Sequence, residues 1–209
     1  MEQYNTIIKS EIEELVEKKS KFIANIFHVE SIEQADEKIK LIKKKYYDAK
    51  HNCIAYRIIE KGQILEKSSD DGEPSGTAGG PMLNILQKQN LCNIVIIVTR
   101  YFGGILLGTG GLVRAYSDAT QKVIQKSEIY HLVEGTEIKI TTDYTNLETL
   151  KHYFKKNDIN ITDVQYSEKI ILKVILEKNR KDILIEEIKE KMQNTIKIDI
   201  LKDKYIEKN

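Results

Sequence analysis

Two glycine-rich segments of this chain hold the side chains best suited to chemistry. The first, residues 68–82, groups acidic and hydroxyl side chains within a few positions, at Asp70, Asp71, Glu73, Ser75 and Thr77. Clustered carboxylates of this kind hold Mg²⁺ or Ca²⁺ through oxygen ligands. They also form Asx turns, cap helices and pair with nearby arginines. We favour the second, structural role, and we predict no metal site.

The second segment, residues 100–120, has the features of an anion-binding turn. It follows an apolar run and precedes a helical pattern, and its small residues are Gly103, Gly104, Gly108, Thr109, Gly110 and Gly111. Free N–H groups at the start of a helix favour phosphate or carboxylate. Arg100 and Arg114 suit bidentate phosphate contacts, and Tyr101 suits stacking on a base. The glycines are equally suited to tight turns and close helix–sheet packing, so both interpretations stay open.

Common catalytic and cofactor motifs are missing from the sequence. Neither the Walker A pattern nor GxGxxG occurs, which argues against ATP and dinucleotide binding. His51 and Cys53 lie two residues apart on a predicted strand, too far apart for an ideal hydrogen bond, so we do not predict that they activate a thiolate. The 4 histidines show no zinc-ligand spacing. We therefore predict no catalytic residue and no cofactor.

The overall charge does not indicate a nucleic-acid or membrane partner. Lys and Arg total 33 against 32 for Asp and Glu, so binding to RNA would require a local basic patch. All but one of the 11 glycines, and both prolines, lie within residues 62–111. Glycine concentrates where a positive φ or a close backbone approach is needed, so this window is expected to form one shaped surface.

Cysteine usage and hydropathy predict a cytoplasmic protein. The chain has 2 cysteines, its longest apolar run is residues 94–98, and its N-terminus does not resemble a signal peptide. These features are typical of a reducing compartment, and they predict neither a disulfide framework nor a membrane span.

Hydrophobic periodicity predicts an α+β chain with two domains. In the first domain we expect strands over 4–12, 20–29, 51–60 and 93–101, and helices over 32–46, 81–89 and 111–126. Ser31 and Gln34 have the spacing of a capping box. Beyond Gly135 the order strand, helix, strand, strand, helix, strand, ending in a strand over 196–200, is that of a split-βαβ, ferredoxin-like domain. We therefore place the domain limits at 1–133 and 135–209.

Residues 69–83 and 98–119 closely resemble the signature of the IMPACT/YigZ family. The resemblance extends to KKSKFIA (18–24) and DAKHNCIAYRI (48–58). It implies an N-terminal domain like domain 2 of ribosomal protein S5 and a C-terminal domain like the last domain of elongation factor G. Eukaryotic members bind a ribosome-associated activator of a translation kinase and so modulate initiation. They use an additional RWD domain, whereas this chain begins at the shared domain, so we do not expect that interaction here.

The resemblance also selects Lys21 and His51, which belong to the flanking matches. Together with the two glycine-rich segments, they are expected to line one face of the N-terminal sheet. Our leading hypothesis is a non-enzymatic, translation-associated protein that binds RNA, the ribosome or a translation factor through this face. The alternative is an enzyme or sensor that binds a small phosphorylated or carboxylated ligand in the same cleft. A third hypothesis is a module that docks another protein there.

Overall fold

The computed structural model describes residues 3–208, which form an α+β protein with antiparallel sheets. These residues divide into two compact units. One unit is Tyr4–His131, and the other holds the described residues from Leu132 onward together with Gln3. No helix within residues 3–208 is long and apolar enough to cross a membrane.

The N-terminal unit is built on an antiparallel sheet. Its elements are β1 (Gln3–Thr6), β2 (Glu11–Glu17), β3 (Ser20–His28), α1 (Ile32–Lys45), β4 (His51–Glu60), β5 (Gln63–Ser69), α2 (Gly79–Lys88), β6 (Ile94–Tyr101) and α3 (Gly108–Lys126). The sheet has the strand order β2-β3-β6-β4-β5. The central position of β6 explains its unbroken apolar run, because side chains on both of its faces are buried.

Helices pack on both faces of this sheet. On the inner face, α2 and α3 enclose a core to which Phe22, Ile96 and Tyr116 belong. On the outer face, α1 packs Ile39 and Ile42 against residues of β4 and β6. Successive apolar side chains of the strands therefore pack into two cores, one on each side of the sheet.

The C-terminal unit has its own sheet and core. Its elements are β7 (Tyr130–Thr142), a 3₁₀ turn (Tyr144–Asn146), α4 (Leu147–Lys156), β8 (Ile161–Tyr166), β9 (Ile170–Glu177), α5 (Lys181–Lys191) and β10 (Lys197–Glu207). Antiparallel pairing among these strands gives the order β10-β7-β9-β8, in a five-stranded sheet that also includes β1. Alternate residues of β9 are buried with Phe154 of α4 and Ile188 of α5. The helix and strand order matches the predicted one.

The predicted capping box at α1 is present in a slightly altered form. Ser31 Oγ accepts from the backbone N–H of Gln34 at 3.3 Å. The Gln34 side chain returns to the backbone N–H of Glu30, at 2.9 Å, rather than to that of Ser31. Both interactions satisfy N–H groups at the start of the helix, as the sequence spacing predicts.

The structure corrects several predicted elements of the N-terminal unit. The strand expected over 4–12 is two strands, β1 and β2. β5 was not predicted, because its sequence QILEKSS is polar and most of its side chains are exposed at the sheet edge. α3 begins at Gly108, which places the Gly108-Thr109-Gly110 stretch in the first helical turn instead of in a loop.

Gly135 lies inside β7 and not in a linker. It is opposite Glu177 of β9 and Lys204 of β10, and an added Cβ would come within 2.7 Å of the Ile175 side chain. Close packing between neighbouring strands therefore explains this glycine. β10 is also much longer than the predicted strand over 196–200, because its antiparallel pairing with β7 continues past a register shift to Glu207.

Candidate functional site

Asp70 fastens the first glycine-rich loop to the start of α2. Its Oδ1 accepts from the backbone N–H groups of Ala78 (3.0 Å) and Gly79 (2.8 Å), and its Oδ2 accepts from that of Gly76 (2.8 Å). Burial opposes ionisation of this carboxyl, but the N–H groups outweigh burial and hold the pKa of Asp70 below its usual value. The carboxylate therefore caps α2 from eight residues upstream of Ala78.

Asp71 ties the same loop to β4 and α1. Its Oδ2 accepts from the backbone N–H of Asn52 and its Oδ1 pairs with Lys43 Nζ, each at 2.7 Å. Its carbonyl oxygen lies 2.9 Å from His51 Nδ1. Since a carbonyl only accepts, Nδ1 of His51 carries the proton of this hydrogen bond. The other ring nitrogen, Nε2, lies 4.0 Å from Glu73 Oε1.

Glu73 is buried beneath the loop and pairs with Arg100. Nη1 of Arg100 donates to both carboxylate oxygens, at 2.7 and 3.0 Å, and the Tyr116 hydroxyl donates to Oε1 at 2.8 Å. The side chains of Glu73 and Arg100 are only 3% and 8% exposed. Removing one member of such a pair leaves a buried charge without a partner, so the pair locks the loop onto the sheet.

Burial keeps two neighbouring groups protonated. It raises the pKa of Cys53 to about 12, and the Cys53 thiol donates to the carbonyl oxygen of Asp70 at 3.0 Å. Burial also raises the pKa of Tyr116. A thiol with a raised pKa is a poor nucleophile, so this geometry does not favour thiolate chemistry by His51 and Cys53.

The Arg100 guanidinium lies between two aromatic rings. Its central carbon is 5.6 Å from the ring centroids of both Phe22 and Phe102, within the range of cation–π attraction. Strand register creates this arrangement, because Arg100 is opposite Phe22 on β3 and His51 on β4. Within residues 3–208, the buried Nε atom of Arg100 has no hydrogen-bond partner. Arg100 thus holds the loop and the rings in place and is not presented to solvent.

The second glycine-rich loop packs closely on the turn between β2 and β3. A Cβ added to Gly103 would lie 1.9 Å from the carbonyl carbon of Lys19, and its N–H donates to Ser20 Oγ at 3.2 Å. Gly104 and Gly108 adopt φ values of +83° and +71°. Side chains are strained in both conformations, so packing and turn geometry account for these glycines.

The first turn of α3 is the part of this loop that faces solvent. Gly108, Thr109 and Gly110 are exposed and Gly111 is half-buried. Among the described residues, no side chain caps this helix. The predicted helix N-terminus is therefore open.

Other predicted residues lie apart from the Glu73–Arg100 pair. Thr77 is buried and donates to a backbone carbonyl of its own loop at 2.6 Å, whereas Ser75 is exposed. Lys21 forms an exposed ion pair with Glu14 at 2.8 Å. Arg114 is exposed on α3 and makes no ion pair with any residue from 3 to 208.

A cleft of about 360 Å³ opens beside the Glu73–Arg100 pair. Its walls are formed by Asp48, Lys50, His51, Arg100, Tyr101, Phe102 and Leu106. The Tyr101 hydroxyl donates to Asp48 Oδ1 at 2.7 Å, and this hydrogen bond, helped by burial, raises the pKa of Tyr101 to about 12. Phe102 and Leu106 are 59% and 83% exposed. The cleft therefore combines a fixed charged base with an open apolar border.

Sequence reasoning missed Asp48, Lys50 and Leu106 as cleft residues, and Tyr47 beside them. Asp48 and its partner Tyr101 are 53 residues apart, so only the strand arrangement brings them together. The available signal was the short connection YYDAK between a predicted helix and a predicted strand, because residues in such connections often carry function.

The three carboxylates of the first loop are committed to separate partners. Asp70 binds backbone N–H groups, Asp71 pairs with Lys43, and Glu73 pairs with Arg100. Across residues 3–208, no three His, Cys, Asp or Glu side chains form a ligand set for a metal ion.

These features define a two-domain α+β protein whose first domain carries an acidic glycine-rich loop locked onto a buried arginine. The chain belongs to the IMPACT family. Residues 18–124 match the Impact N-terminal domain, and residues 140–195 match a domain of unknown function, DUF1949.

Relatives of similar length support this membership. The chain is 34% identical over 186 residues to the IMPACT family member YvyE of Bacillus subtilis, covering 89% of this chain and 85% of that protein. It is 37% identical over 185 residues to an IMPACT family member of Haemophilus influenzae, covering 88% and 90%. A crystal structure of a hypothetical protein, 28% identical, superimposes with a TM-score of 0.62 over 97% of this chain and 98% of that one.

Proposed function

We propose that this protein is a translation-associated regulatory protein that binds single-stranded RNA at the cleft beside Arg100. The translational setting is supported by its membership of the IMPACT family. The observation that carries RNA binding is that the exposed ring of Phe102 lines this cleft together with Lys50, which makes no ion pair with any residue from 3 to 208.

The carboxylates of the neighbouring first loop are neutralised within the protein, which leaves Asp48, a hydrogen-bond acceptor for Tyr101, as the carboxylate that lines the cleft. Asp71 and Glu73 each have a cationic partner, and Asp70 is surrounded by N–H groups. These side chains are already used to hold the loop, which supports binding over acid–base chemistry. The negative charge of the first loop is thereby largely cancelled within the protein.

Lysines lie in the wall of the cleft and in the turn that packs against the second loop. Lys50 lines it directly, and the turn that contains Lys18 and Lys19 lies against Gly103 of the second loop. In the part of the chain that the structure describes, none of these lysines forms an ion pair. Their charge is available to phosphate groups, which supply most of the affinity in non-specific nucleic-acid binding.

Exposed rings beside these lysines provide stacking surfaces. The ring of Phe102 is held over Arg100, and Tyr47, which is 85% exposed, precedes Asp48 in the same connection. Stacking of one base on an aromatic side chain contributes about 1–3 kcal/mol and tolerates any base. We therefore expect RNA binding with little sequence preference.

Fluorescence anisotropy with a labelled oligouridylate of about 12 nucleotides tests this function. We expect the affinity to fall steeply as KCl rises from about 50 to about 200 mM, because phosphate contacts release counterions. Phe102→Ala and Tyr47→Ala should each weaken binding about tenfold. Lys50→Ala should weaken binding less and lower the salt slope by about one.

Matched controls separate this site from general charge and aromatic content. Lys122→Ala removes an exposed lysine of α3, and Tyr166→Ala removes a tyrosine that is 62% exposed in the C-terminal unit. Both variants should bind like the wild type. Absence of binding, binding that ignores salt, or equal losses in the controls would each refute the proposal.

A small anion is the second candidate ligand for this cleft. Its volume of about 360 Å³ falls within the range of about 300–1,000 Å³ typical of small-molecule sites. Lys50 in its wall is exposed and makes no ion pair with any residue from 3 to 208. A rise in Tm with phosphate or carboxylate compounds, lost in Lys50→Ala, would favour this function over RNA binding.

We also propose fold families for the two units. The order β10-β7-β9-β8, with α4 and α5 packed on one face, supports a ferredoxin-like C-terminal domain. The family resemblance supports a ribosomal protein S5 domain 2-like N-terminal domain. The two matched segments, 18–124 and 140–195, lie inside the proposed limits 1–133 and 135–209.

A further inference from the structure

The outer face of the N-terminal sheet is only partly covered by α1. The core beneath α1 contains strand residues from β4 and β6, among them Ile54 and Ile97. The outer faces of β2 and β3 lie beside this helix. On β2, Ile12 is 38% exposed and Val16 is 65% exposed. These residues are four apart on a strand, so both side chains point to the same face.

This uncovered strip forms a groove of about 660 Å³, which we call the outer groove. It is lined by Ser10, Glu11, Ile12, Asn25, Phe27, Leu41, Ile42, Lys44 and Lys45. Leu41 on the helix side is 54% exposed. Neighbouring strands are about 4.8 Å apart, so a strip of two strands is about as wide as one α-helix.

An unpaired polar side chain lies in the floor of the outer groove. Asn25 is only 4% exposed. Its Nδ2 atom has no hydrogen-bond partner among residues 3–208. Asn25 is opposite Ile12 on β2 and Ile97 on β6, so both of its cross-strand neighbours are apolar. A buried donor without an acceptor is unfavourable, and an oxygen of a bound molecule would satisfy it.

The border of the outer groove is basic. Lys44 and Lys45 line it, and Lys38 lies over the Phe27 ring at 5.5 Å. The acidic residue in the lining, Glu11, already has a cation, Lys126, at 3.9 Å. A molecule that fits this border carries negative charge beside an apolar surface.

The free edge of β2 is blocked, so the occupant lies on the face of the sheet. Nζ of Lys126 donates to the carbonyl oxygen of Ile12 at 2.8 Å and pairs with Glu13 at 3.2 Å. A charged side chain on an edge strand disfavours the addition of another strand. A helix seated between β2 and α1 avoids this obstacle.

We propose that the outer groove binds an acidic amphipathic helix of a partner protein. Apolar side chains of that helix cover Ile12 and Leu41, and its carboxylates pair with Lys44 and Lys45. An oxygen atom from the helix accepts from Asn25. This interaction is independent of RNA binding at the cleft.

Phage display of helical peptides of about 16 residues tests the proposal. The library fixes apolar residues at the i, i+3, i+4, i+7 spacing of a groove-binding helix and varies the remaining positions among Glu, Asp, Lys, Arg and Gln. Selection on the full chain should enrich acidic sequences. The best clone, made as a labelled peptide, should lose about tenfold in affinity with Leu41→Asp and with Lys44→Glu/Lys45→Glu. A charge-reversed peptide should regain affinity for the second variant.

Two further variants guard against trivial explanations. Ile64→Asp, which changes an apolar residue that is 37% exposed on the opposite edge strand β5, should leave peptide binding unchanged. Asn25→Leu should raise the Tm of the protein and weaken its binding to the peptide, because it removes the unpaired amide. Three results would each overturn the proposal. The first is enrichment of basic peptides, and the second is peptide affinity that Leu41→Asp leaves unchanged. The third is a homodimer of this chain that Leu41→Asp dissociates.

Discussion

Two buried arginines at opposite ends of the same sheet have very different surroundings. Arg57 makes hydrogen bonds through two of its nitrogen atoms, since Nε donates to Glu66 at 2.7 Å and Nη1 donates to the carbonyl oxygens of Leu86 and Leu91. Arg100 directs Nη1 to Glu73 alone, and in the described chain its Nε has no partner. The two side chains are almost equally buried, at 7% and 8% exposure.

The difference separates a structural arginine from one that organises a site. Arg57 joins β4 to the end of α2 and to the segment after it through backbone carbonyls, so its role is complete within the protein. Arg100 anchors a loop through one carboxylate and supports the exposed Phe102 ring at the cleft wall. Incomplete hydrogen bonding beside an open cleft is the feature that distinguishes the end of the sheet at which we propose that RNA binds.

Replacing each arginine should give the largest difference in stability between the two ends of the sheet. Arg100→Met leaves the Glu73 carboxylate buried without its cation, and we expect the free energy of unfolding to fall by about 3–5 kcal/mol. Arg57→Met should cost less, about 1–2 kcal/mol, because the Glu66 side chain is 31% exposed and regains water. Urea denaturation measures both values.

A double variant controls for the lost side-chain volume. Arg100→Met/Glu73→Met removes both charges and should recover most of the stability lost in Arg100→Met. Equal losses for the two single variants would show that the ends of the sheet do not differ as described.

The cap on α2 gives the next largest effect at the Arg100 end. Asp70→Ala should lower the free energy of unfolding by about 2 kcal/mol, because backbone N–H groups lose their acceptor. Since the pKa of Asp70 is below its usual value, this contribution is present above about pH 4 and is lost as pH falls through the lowered pKa. Stability curves of wild type and variant should therefore converge in acid.

Asp118→Ala, at an exposed position of α3, is the matched control and should change stability little. A stability difference between Asp70→Ala and wild type that stays constant into strong acid would contradict the capping role.

Tyr101 should give the smallest effect. Tyr101→Phe removes one hydrogen bond to Asp48 and should cost about 1 kcal/mol. Because the folded-state pKa of Tyr101 is raised to about 12, its contribution is present below about pH 10 and is lost as pH rises toward 12. The gap between wild type and variant should close over this range, while Tyr47→Phe should match wild type throughout.

Local sequence patterns predicted much of the fold. The bounds of β4 match those predicted, because this strand has apolar content and polar flanks. β5 escaped prediction because edge strands tolerate polar residues. The glycines at the start of α3 hid its first turn, since glycine disfavours helix when only local propensity is considered.

The candidate site was harder to predict because register decides it. The sequence favoured pairing between the loop carboxylates and arginines, and the structure contains the Glu73–Arg100 pair. The sequence patterns did not indicate that His51 would lie opposite Arg100, or that Asp48 would contact Tyr101. Those contacts follow from antiparallel pairing of β4 with β6, which local propensity does not specify.

Photo-crosslinking with an oligouridylate that contains 4-thiouridine tests the central claim most directly. Mass spectrometry of the crosslinked peptides reports which end of the N-terminal sheet contacts RNA. We predict crosslinks at Tyr47, Tyr101 and Phe102 that disappear at high salt. Crosslinks confined to the Arg57 end or to the C-terminal unit, or a lack of crosslinks at low salt, would contradict the assignment of the cleft as the RNA-binding site.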